Sequence, residues 1–330
     1  TLKISFLQST PDFGREGIYQ LLKDRYRVVE DDSDFDYLIA TPWFYVNREA
    51  FYDFLERAPG HITVMYGCHE AIAPDFMLFD YYIGLDAVPG SDRTVKLPFL
   101  RHHLQEVHGG KAGLDVRALL ASKTGFCNFI YANRKSHPNR DAIFHKLSSV
   151  RFVNSLGPHL NNTPGDGHRS EDWYASSIRM KKPYKFSIAF ENAWYPGYTS
   201  EKIVTSMLAG TIPIYWGNPD IGREFNSAAF INCHDFPTLD DAAAYVKKVD
   251  KDDGLWCEIM SRPWKTLEQE ALFLEETERE TAKLYRIFDQ SPEEARRKGD
   301  GTWIAYYQRF LKRGHRLRLA WRRLKNRLRH

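Results

Sequence analysis

Long apolar runs are missing from this chain of 330 residues. No stretch approaches the roughly 20 unbroken apolar residues that a bilayer-crossing helix needs. The opening Leu2-Lys3-Ile4-Ser5-Phe6-Leu7 is too short and too alternating for a signal peptide, while a start at Thr1 rather than Met leaves a removed leader open. Cysteine is scarce, and Cys68, Cys127, Cys233 and Cys257 stand far apart without a CxxC pair. That argues against a zinc knuckle and a dense disulfide scaffold, and fits a reducing cytosol. Neither a GxGxxG nor a Walker A loop occurs, which counts against dinucleotide dehydrogenases and P-loop NTPases. Internal repeats are absent, and the only low-complexity segment is a basic tail.

What the chain does have is enough apolar material for real cores, at 43% hydrophobic and 14% aromatic residues. Its length suggests two domains. Charge is divided along the sequence. Residues 309–330 hold ten Lys/Arg and no acid, leaving 36 basic and 43 acidic side chains in residues 1–308. The net charge of +3 therefore averages an acidic body with a basic tail.

Short apolar runs alternate with helical patterns along the first part. Strands are expected at Leu2–Leu7, Phe35–Ala40, Ile62–Tyr66, Phe79–Gly84 and Val95–Leu97. Helices are expected at Gly17–Asp24 and Asn47–Arg57, the latter capped by Asn47. Leu104–Ser122 reads as a polar, partly helical bridge. A second alternation follows, with strands at Phe126–Ala132, Val150–Asn154, Phe186–Phe190, Ile212–Trp216 and Ala229–Ile231. Its helices fall at Asn139–Leu147, Ser200–Ala209, Asp240–Lys248 and Thr266–Phe288. Strands spaced by helices imply doubly wound parallel sheets.

The segment richest in chemistry runs from Lys185 to Asn192, through Gly197-Tyr198-Thr199-Ser200-Glu201-Lys202, to Thr211–Gly217. It reads as strand, loop, helix and strand. Thr199 or Ser200 is placed to cap the helix, and Glu201 suits the positive end of its dipole. A helix N-terminus at the carboxyl end of a parallel strand is where α/β folds bind anions. Tyr198 and Lys202 would add a hydroxyl and a cation for a phosphate. On spacing alone, an ordinary βαβ unit with a solvated Glu-Lys pair fits equally well.

The run FENAWYPGYTSEKIVTSMLAGTIPIYWGNPD, followed by Phe230-Ile231-Asn232, resembles the signature segment of the α1,3/4-fucosyltransferases, glycosyltransferase family 10, in its bacterial branch. Weaker similarity reaches Phe126–Ala132 with Arg140, and Leu78-Phe79-Asp80-Tyr81 with Gly84. The resemblance implies an α/β protein of GT-B architecture, two Rossmann-like domains facing across a cleft. The expected division is residues 1–120 on the acceptor side, 121–290 holding GDP-fucose, and 291–330 as a helical segment with a basic amphipathic tail. The implied reaction is inverting transfer of L-fucose from GDP-fucose to a hydroxyl of an N-acetyllactosamine- or lactose-type oligosaccharide, in α1,3 or α1,3/4 linkage.

The same resemblance distributes roles. Lys202 and Arg140 would neutralise the diphosphate leaving group, Arg140 through its planar fork and Lys202 as a point charge. These two cations would replace a divalent metal, so no obligatory cofactor is expected, with stimulation by Mn²⁺ or Mg²⁺ left open. Asn192 and Tyr198 would line the donor pocket. Glu201 would hold a nucleotide hydroxyl or face the positive charge developing on fucose. Glu70, in Tyr66-Gly67-Cys68-His69-Glu70, would be the general base. Bacterial relatives carry two acids in this loop, and Cys68 stands where the first would be. His69 is a rival base, because its ordinary pKa of about 6.5 already suits proton transfer near neutrality.

Several patterns are decoys. Asp32-Ser33-Asp34-Phe35-Asp36 contains two DxD triplets but precedes its strand, whereas a metal-binding DxD should follow one. Asp250–Gly254 brings its glycine one residue early for a calcium loop and has no closing bidentate Glu. His102-His103 lacks partner ligands. In the tail, Phe310, Leu317, Trp321, Leu324 and Leu328 recur near helical spacing among the cations. That reads as a peripheral anchor, residues 309–330, on the anionic inner face of a bacterial membrane. Such a protein would be cytoplasmic and peripherally attached. Nucleic-acid binding is the competing reading of the same charges, and the acidic body argues against it. A GT-B transferase with another nucleotide-sugar donor is the nearest enzymatic alternative.

Overall fold

The structure, a computed structural model, describes residues 1–7, 15–67, 70–85, 88, 90–97, 113–164, 172–299 and 301–327. It divides into two compact units, one formed by residues 1–97 with 278–330 and the other by residues 98–277. Each unit has its own parallel sheet. The first comprises β1 (Leu2–Phe6), β2 (Val28–Glu30), β3 (Tyr37–Ala40), β4 (Ile62–Tyr66), β5 (Tyr81–Gly84) and β6 (Thr94–Lys96), in the order β2-β1-β3-β4-β5-β6. The second comprises β7 (Gly125–Phe129), β8 (Val153–Ser155), β9 (Tyr184–Phe190), β10 (Ile212–Trp216) and β11 (Ile231–Asn232), in the order β11-β10-β9-β7-β8. Numbered within its own unit, the first sheet follows the doubly wound order 2-1-3-4-5-6 and the second 2-1-3-4-5. The winding reverses between β1 and β3 in one and between β7 and β9 in the other. Ligand crevices in such sheets open outside the carboxyl ends of the strands at that switch point.

Alternation along the buried strands assigns each sheet two covered faces. In the first unit Ile4, Ile39, Val64 and Ile83 meet Ile18 and Leu22 from the helix Arg15–Lys23 and Leu284, Ile287 and Phe288 from the helix Leu267–Asp289. The residues between them, Leu38, Met65 and Tyr82, meet Phe44 and Phe54 on the opposite face. In the second unit Phe186, Ile188, Ile212 and Ile214 pack on Ile143, Leu147, Val246 and Trp256. Ala189 and Tyr215 instead meet Ile203, Val204 and Met207 of the helix Glu201–Leu208.

The unit boundaries differ from those expected at 120/121 and 290/291, for a packing reason. Leu284, Ile287, Phe288 and Ala295 are core residues of the first unit, and Tyr307 and Leu311 pack against its other face. The helix Thr302–Arg327 is thereby rooted in the first unit over its initial turns. Other elements differ in detail. Asn47 caps the helix Arg48–Arg57 as expected, accepting from Glu49 N and Ala50 N. The short edge strand β2 and the helices Trp173–Lys181 and Asp253–Ser261 add to the expected set, and the helix Val116–Ala121 is the helical part of the expected bridge. Residues 227–229, whose end was read as strand, form a 3₁₀ turn before β11. The acids of Asp250–Gly254 serve local structure: Asp250 faces Lys185 and Arg151, and Asp252 caps the helix Asp253–Ser261.

The C-terminal return is fastened by a buried carboxylate. Asp80, with no exposed surface, accepts from Thr63 N and Thr63 Oγ1, both at 2.8 Å, and from the backbone amides of Arg297 and Lys298. Lys298 Nζ lies 3.9 Å from the same carboxylate. Asp80→Ala would strand four donors and a largely buried ammonium, so it should destabilise the first unit by about 3–5 kcal/mol in urea denaturation.

Candidate functional site

The candidate residues of the second unit gather at the carboxyl end of β9, beside the β7/β9 switch point. Where β9 ends at Phe190, the next residue continues the ladder, Glu191 N donating to Trp216 O at 2.8 Å. The Glu191 side chain is fully buried. Gly217 makes room for it: its φ is +152°, and a Cβ there would lie 2.4 Å from Glu191 Cγ. Any side chain at 217 would therefore expel the carboxylate.

That carboxylate holds the tip of the helix Glu201–Leu208. Glu191 accepts from Ser200 N at 2.8 Å, from Ser200 Oγ at 2.7 Å and from Lys202 Nζ at 3.0 Å. Ser200 is the N-cap residue, yet its hydroxyl makes no capping bond to the helix backbone and instead accepts from Lys202 Nζ at 2.9 Å. The expected side-chain cap is thus replaced by a carboxylate from the preceding strand, placed at the positive end of the helix dipole. Behind it, fully buried Asn218 accepts from Gly197 N and donates to Thr199 Oγ1 at 3.0 Å, pinning the loop to the end of β10.

Lys202 sits between two acids, 3.0 Å from Glu191 and 3.5 Å from Glu201. Burial works to lower the pKa of its ammonium, but these carboxylates raise it above the ordinary value and keep it charged. Burial pushes Glu201 the other way, and the Lys202 and Lys181 ammoniums together with hydrogen bonds hold its carboxyl below the usual range. Tyr198 is buried in the same loop and raises Lys202 further.

Arg140 lies in the first turn of the helix Asn139–Val150, as the sequence suggested, and is fully buried. Its guanidinium stands 4.2 Å from the centre of the Tyr131 ring. It donates to Asn192 Oδ1 at 2.5 Å and, at 3.4 Å, to the carbonyls of Asn133 and Phe190. Its Nε meets no partner among the described residues. A buried cation bound only by neutral acceptors is expensive, and an anion is the partner that would offset the cost.

Five of the six expected site residues, Arg140, Asn192, Tyr198, Glu201 and Lys202, therefore belong to one neighbourhood of the second unit. Glu70 belongs to the first unit, in the turn after β4, where Glu70 N donates to Gly67 O at 2.9 Å. Cys68, His69 and His102-His103 lie outside the described residues. Sequence reasoning passed over Glu191 and Asn218, although both stand inside the quoted run. It also passed over an aromatic column on the same strand ends. The His137 ring packs on Trp216 with centroids 4.5 Å apart, and His234 stacks on Trp216 at 5.9 Å. Gly217 N donates to His234 Nε2 at 3.2 Å, and burial lowers the pKa of that imidazole.

With this geometry in place, comparison with known proteins is decisive about kinship. The family model for the C-terminal part of glycosyltransferase family 10 (fucosyltransferase) matches residues 120–293, just over half of the chain. The chain belongs to glycosyltransferase family 10. An α-(1,3)-fucosyltransferase of Helicobacter pylori is 27% identical over 297 residues, covering 79% of this chain and 59% of the relative. GDP-fucose protein O-fucosyltransferase 3 of Xenopus laevis is 34% identical over 132 residues, covering 38% of this chain and 28% of the relative. The chain thus spans less than two thirds of the length of these curated relatives. The crystal structure of an α1,3-fucosyltransferase with GDP-fucose superposes with a TM-score of 0.62 at 25% identity, over 85% of this chain and 90% of that one. Two α/β units with parallel sheets, matching that structure, give this family 10 protein the GT-B fold.

One further buried group lies within the family match. Lys181, on the helix Trp173–Lys181, is 5% exposed and donates to Thr205 Oγ1 at 2.6 Å. Burial pushes its ammonium down to about 7 from the usual 10.5, against the pull of Glu201 and Glu191. Between those two pH values the unfolded chain holds a proton that the folded chain has released. Stability therefore rises with pH across that window, and the burial penalty is complete below it. Lys181→Met should raise the melting temperature relative to wild type, by about 2–4 °C per kcal/mol of penalty removed. The gain measured by calorimetry should be larger at pH 6 than at pH 10.

Proposed function

We propose that this chain transfers L-fucose from GDP-fucose to a hydroxyl of an N-acetyllactosamine- or lactose-type saccharide, in α1,3 linkage and with inversion at the anomeric carbon. The observation that carries the reading is Arg140, a buried guanidinium without a carboxylate partner among the described residues, beside the charged Lys202 at one strand end. The diphosphate of a nucleotide sugar supplies the anion that this arrangement lacks. Relatives with different acceptors support the donor assignment. A protein O-fucosyltransferase carries GDP-fucose in its name, and an α1,3-fucosyltransferase crystal structure contains it. The family match falls on residues 120–293, which hold all five candidate donor-side residues.

In this reading Arg140 and Lys202 stabilise charge as GDP leaves, an electrostatic contribution that strengthens as water is excluded. Asn192 orients Arg140, and Tyr198 lines the pocket. Glu201, ionised beside Lys202, binds a nucleotide hydroxyl or faces the cationic character developing on fucose. Glu70 takes the proton of the attacking hydroxyl. Incubation with GDP-fucose and N-acetyllactosamine should give a product whose α1,3 linkage is read by NMR. Stabilisation by a different nucleotide sugar, with none by GDP-fucose, would overturn the donor assignment. In the same assay Glu70→Gln should lower turnover about 10²-fold or more. Near-normal turnover would remove Glu70 from the base role.

The tail supports attachment to an anionic membrane surface. Among the described residues no helix is long and apolar enough to cross a membrane. On the helix Thr302–Arg327, Trp303, Phe310, Leu317 and Trp321 are 66–79% exposed, in a segment rich in cations. Each cation near anionic lipid contributes on the order of 1 kcal/mol. Truncation after Gly314 keeps Tyr307 and Leu311, which pack on the first unit. It should abolish sedimentation with phosphatidylserine vesicles while leaving turnover on soluble acceptors unchanged. Loss of turnover, with nucleic acid binding lost in parallel, would favour the competing reading.

A further inference from the structure

Resting on the donor reading above, the geometry points to His137 as the platform on which the purine base of the nucleotide stacks. His137 precedes the helix that carries Arg140 and is bound to both halves of the anion-suited neighbourhood. Its backbone N–H donates to Asn192 O at 2.8 Å, and its carbonyl accepts from Arg140 N at 3.1 Å. One face of its ring rests on Trp216. Trp216 is itself 7% exposed and backed by Phe190 and His234, at 5.9 Å each. His137 is exposed, so the column ends in an imidazole supported from within and accessible from without.

An exposed histidine is ordinarily free to rotate, but this one is fixed. Asn139 N donates to its Nδ1 at 3.2 Å, so the neutral ring carries its hydrogen on Nε2. A ring packed at 35° against tryptophan and held at its Nδ1 loses little freedom when a second ring stacks on it, which is the preorganisation that favours binding. Stacking supplies affinity for any base, and the donor reading makes that base guanine. The two cations at the strand end would hold the phosphates while this ring holds the base.

The test is calorimetric titration of the full chain and two variants with GDP and with inorganic pyrophosphate. Because His137 is exposed, His137→Ala should fold normally, which circular dichroism checks. His137→Ala should weaken GDP roughly 5- to 150-fold, the loss expected for one base–aromatic stack. It should leave pyrophosphate affinity within about twofold, while His137→Phe should recover most of the GDP affinity by restoring the stacking face. If wild type binds GDP and His137→Ala binds it equally well, the platform is refuted and the donor reading stands. Equal loss of GDP and pyrophosphate in His137→Ala would also refute the platform, since it would reveal a role in shaping the phosphate site. Failure of the wild type to bind GDP would overturn the donor reading and the platform together.

Discussion

The carboxylate of Glu191 is the point on which the site depends. One fully buried side chain ties the end of β9, the N-cap amide of a helix and the ammonium of Lys202 into a single charged knot. Burying two charges is costly, and the pair is tolerable only because every oxygen of Glu191 finds a donor with good geometry. Gly217 is part of the same device, since only a residue without a Cβ leaves the volume that Glu191 Cγ occupies. Asn218 completes it from the next strand by holding Gly197 and Thr199. Three residues from two neighbouring strand ends therefore determine where Lys202 points.

The doubly wound sheet explains why this knot lies where it does. With β7 and β9 adjacent and the chain winding away from them in opposite directions, the loops after these two strands diverge. The loop after β7 leads into the helix bearing Arg140, and the loop after β9 leads into the helix bearing Glu201 and Lys202. Each helix presents its first turn to the switch point, so both contribute partial positive charge there. Arg140 crosses the gap, donating to Phe190 O and Asn192 Oδ1 of the neighbouring strand end. Topology brings the cations together, and side-chain hydrogen bonds set their orientation.

Much of this was legible in the sequence, and the exceptions have physical causes. Buried parallel strands read as unbroken apolar runs, so Ile62–Tyr66 and Ile212–Trp216 were placed to the residue. The edge strand Val28–Glu30 carries no such run, because its residues are half-buried or exposed. The cap at Asn47 follows from local chemistry, whereas the cap of the helix Glu201–Leu208 is contributed by a residue ten positions upstream and cannot be read from neighbours. A Glu-Lys pair in sequence suggested a solvated couple, yet Lys202 answers mainly to Glu191, visible only after folding. Likewise the return of residues 278–330 to the first unit depends on Asp80 and on an apolar stripe, Leu284 with Ile287 and Phe288, that has no local signature of its destination.

The two cations of the site are prepared in different ways, and on the proposed reading the difference would suit a leaving group whose charge grows during reaction. Lys202 is already neutralised by Glu191 and Glu201, so its ammonium is a fixed, oriented donor that needs no new counterion. Arg140 is buried among carbonyls, an amide and a tyrosine ring, with one N–H unmet among the described residues. Its electrostatic need is satisfied only when an anion arrives, and satisfied more fully as that anion gains charge. An interaction that strengthens toward the transition state lowers the barrier, while one equally strong beforehand only tightens binding. On the proposed donor reading, that criterion would make Arg140 contribute chiefly to rate and Lys202, held in its ion pair, chiefly to position.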